Sequence, residues 1–519
     1  MDYQSFVEKE KVLLIAPAGY GKTYTIAECF KYTKGKQLIL THTHAGVASI
    51  KQKLHSMNTS PNLYAVETIS SFCQRYVHSF CPNNEIPQQG VNSKLNQNYH
   101  SFIINKANSI FESLLVKKVI SSSYQGLFVD EYQDCSIAQH LVVLSLSKLM
   151  PTRLLGDPLQ GIFGFKDTLV DFDTDLSDFD SVAELEIPFR WRKEGNNSSL
   201  GEVIKSYRKP LSNSEPINCE MNTKAGFYVI KVSEGDFNNK DSNYRKKLSS
   251  LILNKDSNPD FDNLLIITPE YMEEVNGQML KKGGIKDRLD ILSKVDFAKS
   301  VNLLEAIDDK TFYSVPSEID RCIASIKRSH KPVKKIFNVL CSLFHKTSPA
   351  KTKNKGLNDW FSVQPSSANI DFSVKKKQGQ GAEKELSLNL GAVVLNLLEN
   401  PSSESFYHLL HFLRYNLRVR VVRRKDLVNS VTKSLSDSSR QGITVHEAMV
   451  EHRNLIRRGG RKTEGKCIGT TLLTKGLEFD TVAILDAHKF DCPKNFYVAL
   501  TRCCKNLVIF TCTNTLFEK

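Results

Sequence analysis

The sequence predicts an α/β protein built on parallel sheets with helices on both faces. Three observations lead there. Short apolar runs alternate with helical patterns up to about residue 190. The alternation returns in pieces at 227–269 and 481–512. A largely helical, Lys-rich stretch separates those pieces, at about 290–440. Strands alternating with helices imply a parallel sheet, and right-handed crossovers gather the loops after the strands on one edge, where ligands bind.

The elements follow in order. VLLIA at 12–16 reads as a strand, followed by a helix from about Lys22. QLILT at 37–41 is a second, with a helix from about Ala45. GLFVD at 126–130 precedes a helix running to about Leu149. RLLGD at 153–157 and VAELEI at 182–187 complete the first set. FYVIKV at 227–232 and LLIITP at 264–269 open the second, with a helix expected from about Glu270 to Lys282. TVAILD at 481–486, a helix near 494–503 and LVIFTC at 507–512 close it. The expected organisation is a first α/β domain over 1–190, with a short helical insertion at about 74–122. A second spans 191–289 and 441–519, interrupted by the basic helical insertion at 290–440. The runs HKTSPAKTKNKG at 345–356 and KKKQGQGAEKE at 375–385 read as polar, basic loops.

A chain of 519 residues is long enough for about two to four domains. At 40% hydrophobic and 24% charged it has a soluble composition. No apolar run reaches membrane-spanning length, and MDYQSFVEKEK lacks a signal core, so the cytoplasm is expected. A net charge of +14 favours a polyanionic partner, nucleic acid first. The twelve cysteines show no zinc spacing and read as reduced, core-filling thiols.

Two strand ends carry chemistry. APAGYGKT at 16–23 lies between a strand and a helix, as a phosphate-binding loop must. Its backbone N–H groups and the helix N-terminus attract phosphate oxygens. The cradle comprises Ala16, Pro17, Ala18, Gly19, Tyr20, Gly21, Lys22 and Thr23; Lys22 neutralises phosphate and Thr23 ligates Mg²⁺. LFVDEYQD at 127–134 places Asp130 to hold Mg²⁺ through water and Glu131 to activate a water as general base. ATP and Mg²⁺ are the expected cofactors.

DEYQD with GDPLQGIFGF at 156–165 resembles the superfamily 1 DNA helicases of the UvrD/Rep/PcrA group. Further stretches resemble the family's motifs in its own order: THTHAGVASIKQKL at 41–54, ETISSFC at 67–73, LEIPFR at 185–190, TLLTKGLEFD at 471–480 and FYVALTR at 496–502. The likeness covers 12–285 and 466–512. It implies two RecA-like P-loop domains, each with an insertion (the 1A, 1B, 2A and 2B arrangement), and ATP-driven 3′ to 5′ movement on single-stranded or 3′-tailed DNA. It further implies that Gln160 senses the γ-phosphate, that Phe189 stacks adenine and that Arg190 grips the γ-phosphate. Arg502 becomes an arginine finger, Glu478 a ribose contact and Gln4 the adenine-reading glutamine. Thr43, His44 and Thr68 would grip the DNA backbone, Phe163 and Phe165 would stack bases, and Lys166 would meet a phosphate. The sequence departs from the family at Ala16, His44, Ala45, Pro188 and Leu472, mostly at DNA-facing or coupling positions. ATP hydrolysis is therefore the firmer implication. A second implied role is a DNA-sensing regulatory ATPase controlling a partner nuclease, as in Gabija-type antiphage systems; DNA repair is the other setting the family suggests.

Overall fold

The structure is a computed structural model of the whole chain. It describes all residues except 88–92, 163–167, 183, 255–257, 296–300, 307–308, 348–356, 358–359, 364–371, 375–380, 420–423, 460–462, 464 and 519. Both basic runs of the helical stretch fall largely outside the described residues.

The first sheet contains β1 (Lys11–Ile15), β2 (Gln37–Thr41), β3 (Tyr64–Thr68), β4 (Gly126–Val129), β5 (Thr152–Gly156) and β6 (Asp180–Val182). Their spatial order is β3-β2-β4-β5-β1-β6, every pair parallel. Successive side chains along a strand point to opposite faces. Leu13, Leu38 and Leu127 accordingly meet Phe72, Ile103 and Val143 on one face. Val12, Ile39 and Phe128 meet Phe6, Ile26 and Ile50 on the other. The helices packed on the two faces are α1 (Tyr3–Glu8), α2 (Lys22–Cys29), α3 (His44–Ser56), α4 (Ile69–Phe80), α5 (Ser93–Phe111), α6 (Leu114–Ser123) and α7 (Ile137–Ser147). Covering both faces is why these strands read as unbroken apolar runs.

After α8 (Phe189–Arg192) and α9 (Ser198–Ser212) comes a short strand β7 (Ile217–Asn218) and then β8 (Phe227–Lys231) and β9 (Leu264–Thr268). The expected helix at 270–282 is absent. In its place β10 (Tyr271–Val275) and β11 (Gln278–Lys282) form an antiparallel hairpin. Its turn is Asn276–Gly277, with φ of 53° and 74°. Two successive positive φ values suit the right-handed twist of a tight hairpin, and Asn-Gly is the pair that adopts them most readily. This local signal outweighs the helical reading of YMEEV.

A second correction concerns β12 (Val301–Leu303), which lies in the stretch expected to be helical yet pairs in parallel with the strand Lys466–Thr470. The remaining strands are β13 (Phe361–Val363), β14 (Phe372–Val374), β15 (Lys466–Thr470), β16 (Phe479–Ile484), β17 (Cys503–Thr511) and β18 (Thr515–Leu516). The second parallel sheet runs β12-β15-β9-β16-β17-β8. Leu265, Val482 and Leu507 pack against α9 and the helix Pro493–Leu500 on one face. Leu264, Ala483 and Val508 pack against the helices Asn243–Leu253 and Ile285–Lys294 on the other. Of the expected strand at 182–187, Val182 is the last residue of β6, and Leu185 keeps one bond to β1, N to Ile15 O at 3.0 Å.

Between β12 and β15, helices including Thr311–Ser325, Ser403–His411, Lys425–Gln441 and Val445–Gly459 bury a core of their own around Phe312, Leu409, Val431 and Met449. Buried charges tie this core to the second sheet. Arg424 bonds Glu305 and, at 3.3 Å, Asp309. The Arg453 guanidinium lies 3.8 Å from the Phe312 ring centroid. Among the described residues, no helix is long and apolar enough to cross a membrane.

Candidate active site

Strand β1 runs into Ala16, whose N–H donates to Gly156 O at 2.9 Å. The loop then turns through Gly19 and Gly21, with φ of 80° and 91°. Only glycine takes such angles without strain. The space is also closed to side chains. A Cβ on Gly19 would stand 2.9 Å from Arg190 Cβ, and one on Gly21 would stand 3.2 Å from the Phe189 ring. Gly21 begins α2 and sets Lys22 and Thr23 in its first turn.

Strand β4 ends at Val129, and Asp130 N donates to Leu40 O at 2.8 Å. The chain turns sharply at Glu131, which holds φ 57° and ψ 42°. A non-glycine residue in this region is uncommon and marks local strain. Two neighbours hold the Glu131 carboxylate there: Lys22 Nζ at 2.9 Å and the Gln133 amide. Burial works against the charge on Glu131, but Lys22 and Lys475 overcome it and hold the carboxyl below its usual range. Burial and the neighbouring Glu131 push Asp130 the other way. Burial lowers the Lys22 pKa, yet Glu131, Asp130 and Asp157 more than offset it and hold the ammonium's pKa above its usual value. The loop end of the first sheet thus presents one ionised carboxylate locked to one cation.

The second sheet supplies the opposite wall. Lys475 Nζ lies 2.6 Å from both oxygens of Asp134 and 2.6 Å from Gln160 O. Arg190 Nη2 bonds Glu478 at 2.7 Å, and its Nη1 donates to Thr501 O. Arg502 is buried, with Nε on Val498 O at 2.9 Å and Nη2 on Thr501 Oγ1 at 2.9 Å. Burial, with Arg190 nearby, lowers the Arg502 pKa to about 10. Asp134, Gln160, Arg190, Lys475, Glu478 and Arg502 border one cleft of about 3580 Å³. It continues past Thr43, His44 and Thr68 to α5 and to Tyr313 and His446 of the helical layer.

The residues expected from sequence divide clearly. Pro17, Ala18, Gly19, Gly21, Lys22, Thr23, Asp130, Glu131, Gln160, Phe189, Arg190, Glu478 and Arg502 line this cleft. Thr43 and Thr68 line it too, while their hydroxyls cap α3 and α4 through Gly46 N and Ser71 N, each at 3.0 Å. Ala16 and Tyr20 turn into hydrophobic cores instead, so they serve the loop's shape. Gln4 is not brought to the cleft: its amide bonds Glu8 at 2.9 Å on an exposed helix, and the neighbouring Tyr3 lines the wall. Arg190 and Glu478 face each other rather than standing apart for phosphate and ribose. Phe163, Phe165 and Lys166 lie outside the described residues. Sequence reasoning missed Lys475, although it sits inside TLLTKGLEFD, and missed Asp157 and Gln133, whose buried bonds order the site.

A phosphate-binding loop, an acidic strand end and two facing parallel sheets define a P-loop nucleotide-binding protein. Comparison with known proteins agrees with that class: residues 3–166 match the family described as AAA domain. A solved structure, an arterivirus nonstructural protein 10 (helicase) in complex with DNA, is similar at 14% identity and a TM-score of 0.25. That likeness covers 45% of this chain and 47% of the viral one, under half of either length. No curated protein matches.

Proposed function

We propose that this chain is an ATP-dependent helicase or translocase that moves 3′ to 5′ on single-stranded or 3′-tailed DNA. The observation that carries the reading is the 2.9 Å contact between Lys22 and Glu131, in a cleft also bordered by Lys475 and Arg502 from the second sheet's loops and by Arg190 beside the phosphate loop. Lys475 and Arg502 come from the second sheet, so their distance to bound phosphates depends on how the two sheets are set against each other. Hydrolysis and relative movement are thereby coupled.

Each residue has a role in this reading. The loop N–H groups and Lys22 bind the phosphates. Glu131, held ionised, takes the proton of the attacking water as general base. Gln160 reports the γ-phosphate. Arg190 leaves Glu478 to meet the phosphates, and Arg502 stabilises charge as the bond to the leaving group breaks. Phe189, beside Gly21, offers a face to the base.

Magnesium fits the residues present. Asp130 Oδ1 is buried and accepts no hydrogen bond among the described residues, and Thr23 borders the same space. Among those residues no cluster of three His, Cys, Asp or Glu forms a metal site. Magnesium needs none, because it keeps several waters and takes one or two protein ligands beside phosphate. When bound, it neutralises phosphate charge.

The net charge of +14 and the neutral, hydrogen-bonding wall of the cleft beyond Thr68 support a polynucleotide track. Strand displacement on duplexes with 3′ or 5′ tails tests the proposal. ATP-dependent displacement of the 3′-tailed duplex alone is expected. DNA-stimulated hydrolysis with no displacement of either duplex would replace the motor by the regulatory ATPase.

A further inference from the structure

Asp157 follows β5 and is fully buried. Such a carboxylate is costly unless donors fill its lone pairs. Four do. Ala18 N (3.2 Å) and Gln160 Nε2 (2.7 Å) reach Oδ2; Leu159 N (3.3 Å) and Arg208 Nη1 (2.9 Å) reach Oδ1. The first three belong to loops of the first sheet.

Arg208 comes from elsewhere. It stands on α9, whose Leu200, Ile204 and Leu211 pack with Phe496 and Leu507 of the second sheet's core. Its Nη1 also donates to Tyr497 Oη at 3.0 Å, and its guanidinium lies 5.4 Å from the Tyr497 ring centroid. Its Nε bonds Glu184. Tyr497 belongs to the helix Pro493–Leu500, in which Val498 O accepts the Arg502 Nε–H. One side chain therefore touches both the carboxylate that holds Gln160 and the helix that holds Arg502.

We infer that Arg208 is a positioning residue, aligning Gln160 and the phosphate loop with Arg502 so that movement of the second sheet is felt at the phosphates. This rests on the ATPase reading above. Arg208 touches no reacting atom. It acts through Asp157 and Tyr497, and its planar fork can hold both acceptors at once where an ammonium holds them with less fixed geometry. Misplacement of reacting groups by a distant change costs rate more than affinity.

The test uses the full chain with Arg208→Met, Arg208→Lys and the uncharged pair Asp157→Asn/Arg208→Met. ATP turnover is measured with and without a single-stranded oligonucleotide, alongside melting temperature. Arg208→Met should lower kcat by about 10- to 100-fold and leave KM for ATP nearly unchanged. Arg208→Lys should recover part of the rate. The uncharged pair leaves no buried carboxylate unpaired, so it should fold even if Arg208→Met does not, and should show the same loss in kcat. Folded variants with wild-type kcat and normal DNA stimulation would overturn the inference, as would a change confined to KM. A wild-type protein without turnover, or one indifferent to Lys22→Ala, would instead overturn the ATPase reading and remove the basis for this one.

Discussion

Lys475 of the second sheet's loop and Asp134 of the first sheet's acidic turn are paired through both carboxylate oxygens at 2.6 Å, with both side chains almost wholly buried. This pair clasps the two sheets immediately beside Glu131. Burial pushes Asp134 up to about 6 and Lys475 down, and each is the other's main support against that shift.

Removing one partner should therefore cost more than removing both. Lys475→Met or Asp134→Asn alone should destabilise the protein by about 3–5 kcal/mol, the usual result of stranding a buried charge. The double variant should lose clearly less than the sum. Chemical denaturation of the three variants measures this coupling, and strictly additive losses would show that the clasp is not energetically real.

Glu131→Gln keeps shape and removes the base. Turnover should fall by about 10²–10⁴-fold, the ordinary range for a general base, with nucleotide affinity retained. Because Lys22 loses a charged partner, rates are compared per folded molecule, from melting curves of both proteins. A loss below tenfold would assign the base to another group.

Phe189 is nearly half exposed, and its ring sits beside Gly21 and 6.5 Å from the Tyr24 ring. Phe189→Ala should raise KM for ATP several-fold, matching a lost stack of about 0.5–1.5 kcal/mol. The kcat should change little. An unaltered KM would rule out base stacking at this residue.

His42 gives a pH signature. Burial, then Lys475, lowers its pKa from 6.5 to about 4, and its Nε2 lies 3.3 Å from Cys135 Sγ. The unfolded chain binds a proton at His42 below pH 6.5 while the folded chain does not until about pH 4. Unfolding thus takes up a proton across that window, and stability falls as pH falls through it. His42→Gln should flatten this part of the stability profile. An identical slope in wild type and variant would contradict the neutral state of the ring.

Much of this fold is legible in the sequence because its strands are buried on both faces. LLIA, LILT, LFV and LLIIT are too apolar and too short to be anything else between loop residues. The P-loop and the acidic turn are equally plain, since each depends on contiguous residues. The hairpin at 271–282 is misread because YMEEV carries helical spacing, whereas the deciding signal is the two-residue turn Asn276–Gly277. Arg208, Lys475 and Asp134 illustrate a different limit. Their partners lie 51 and 341 positions away, and no local pattern encodes which surface-type residue will be buried by the second sheet. Gln4 illustrates a third: its place before the phosphate loop is legible, but the direction of its side chain, toward Glu8, is set by the helix.

Phosphate release from ATP in the presence of Mg²⁺, with and without single-stranded DNA, tests the central claim most directly. Wild-type protein should hydrolyse ATP and be stimulated by the strand, and Lys22→Ala should abolish both while its melting temperature stays that of a folded protein. Turnover that survives Lys22→Ala, or a wild-type rate blind to DNA, would contradict a motor built on the Lys22–Glu131 site.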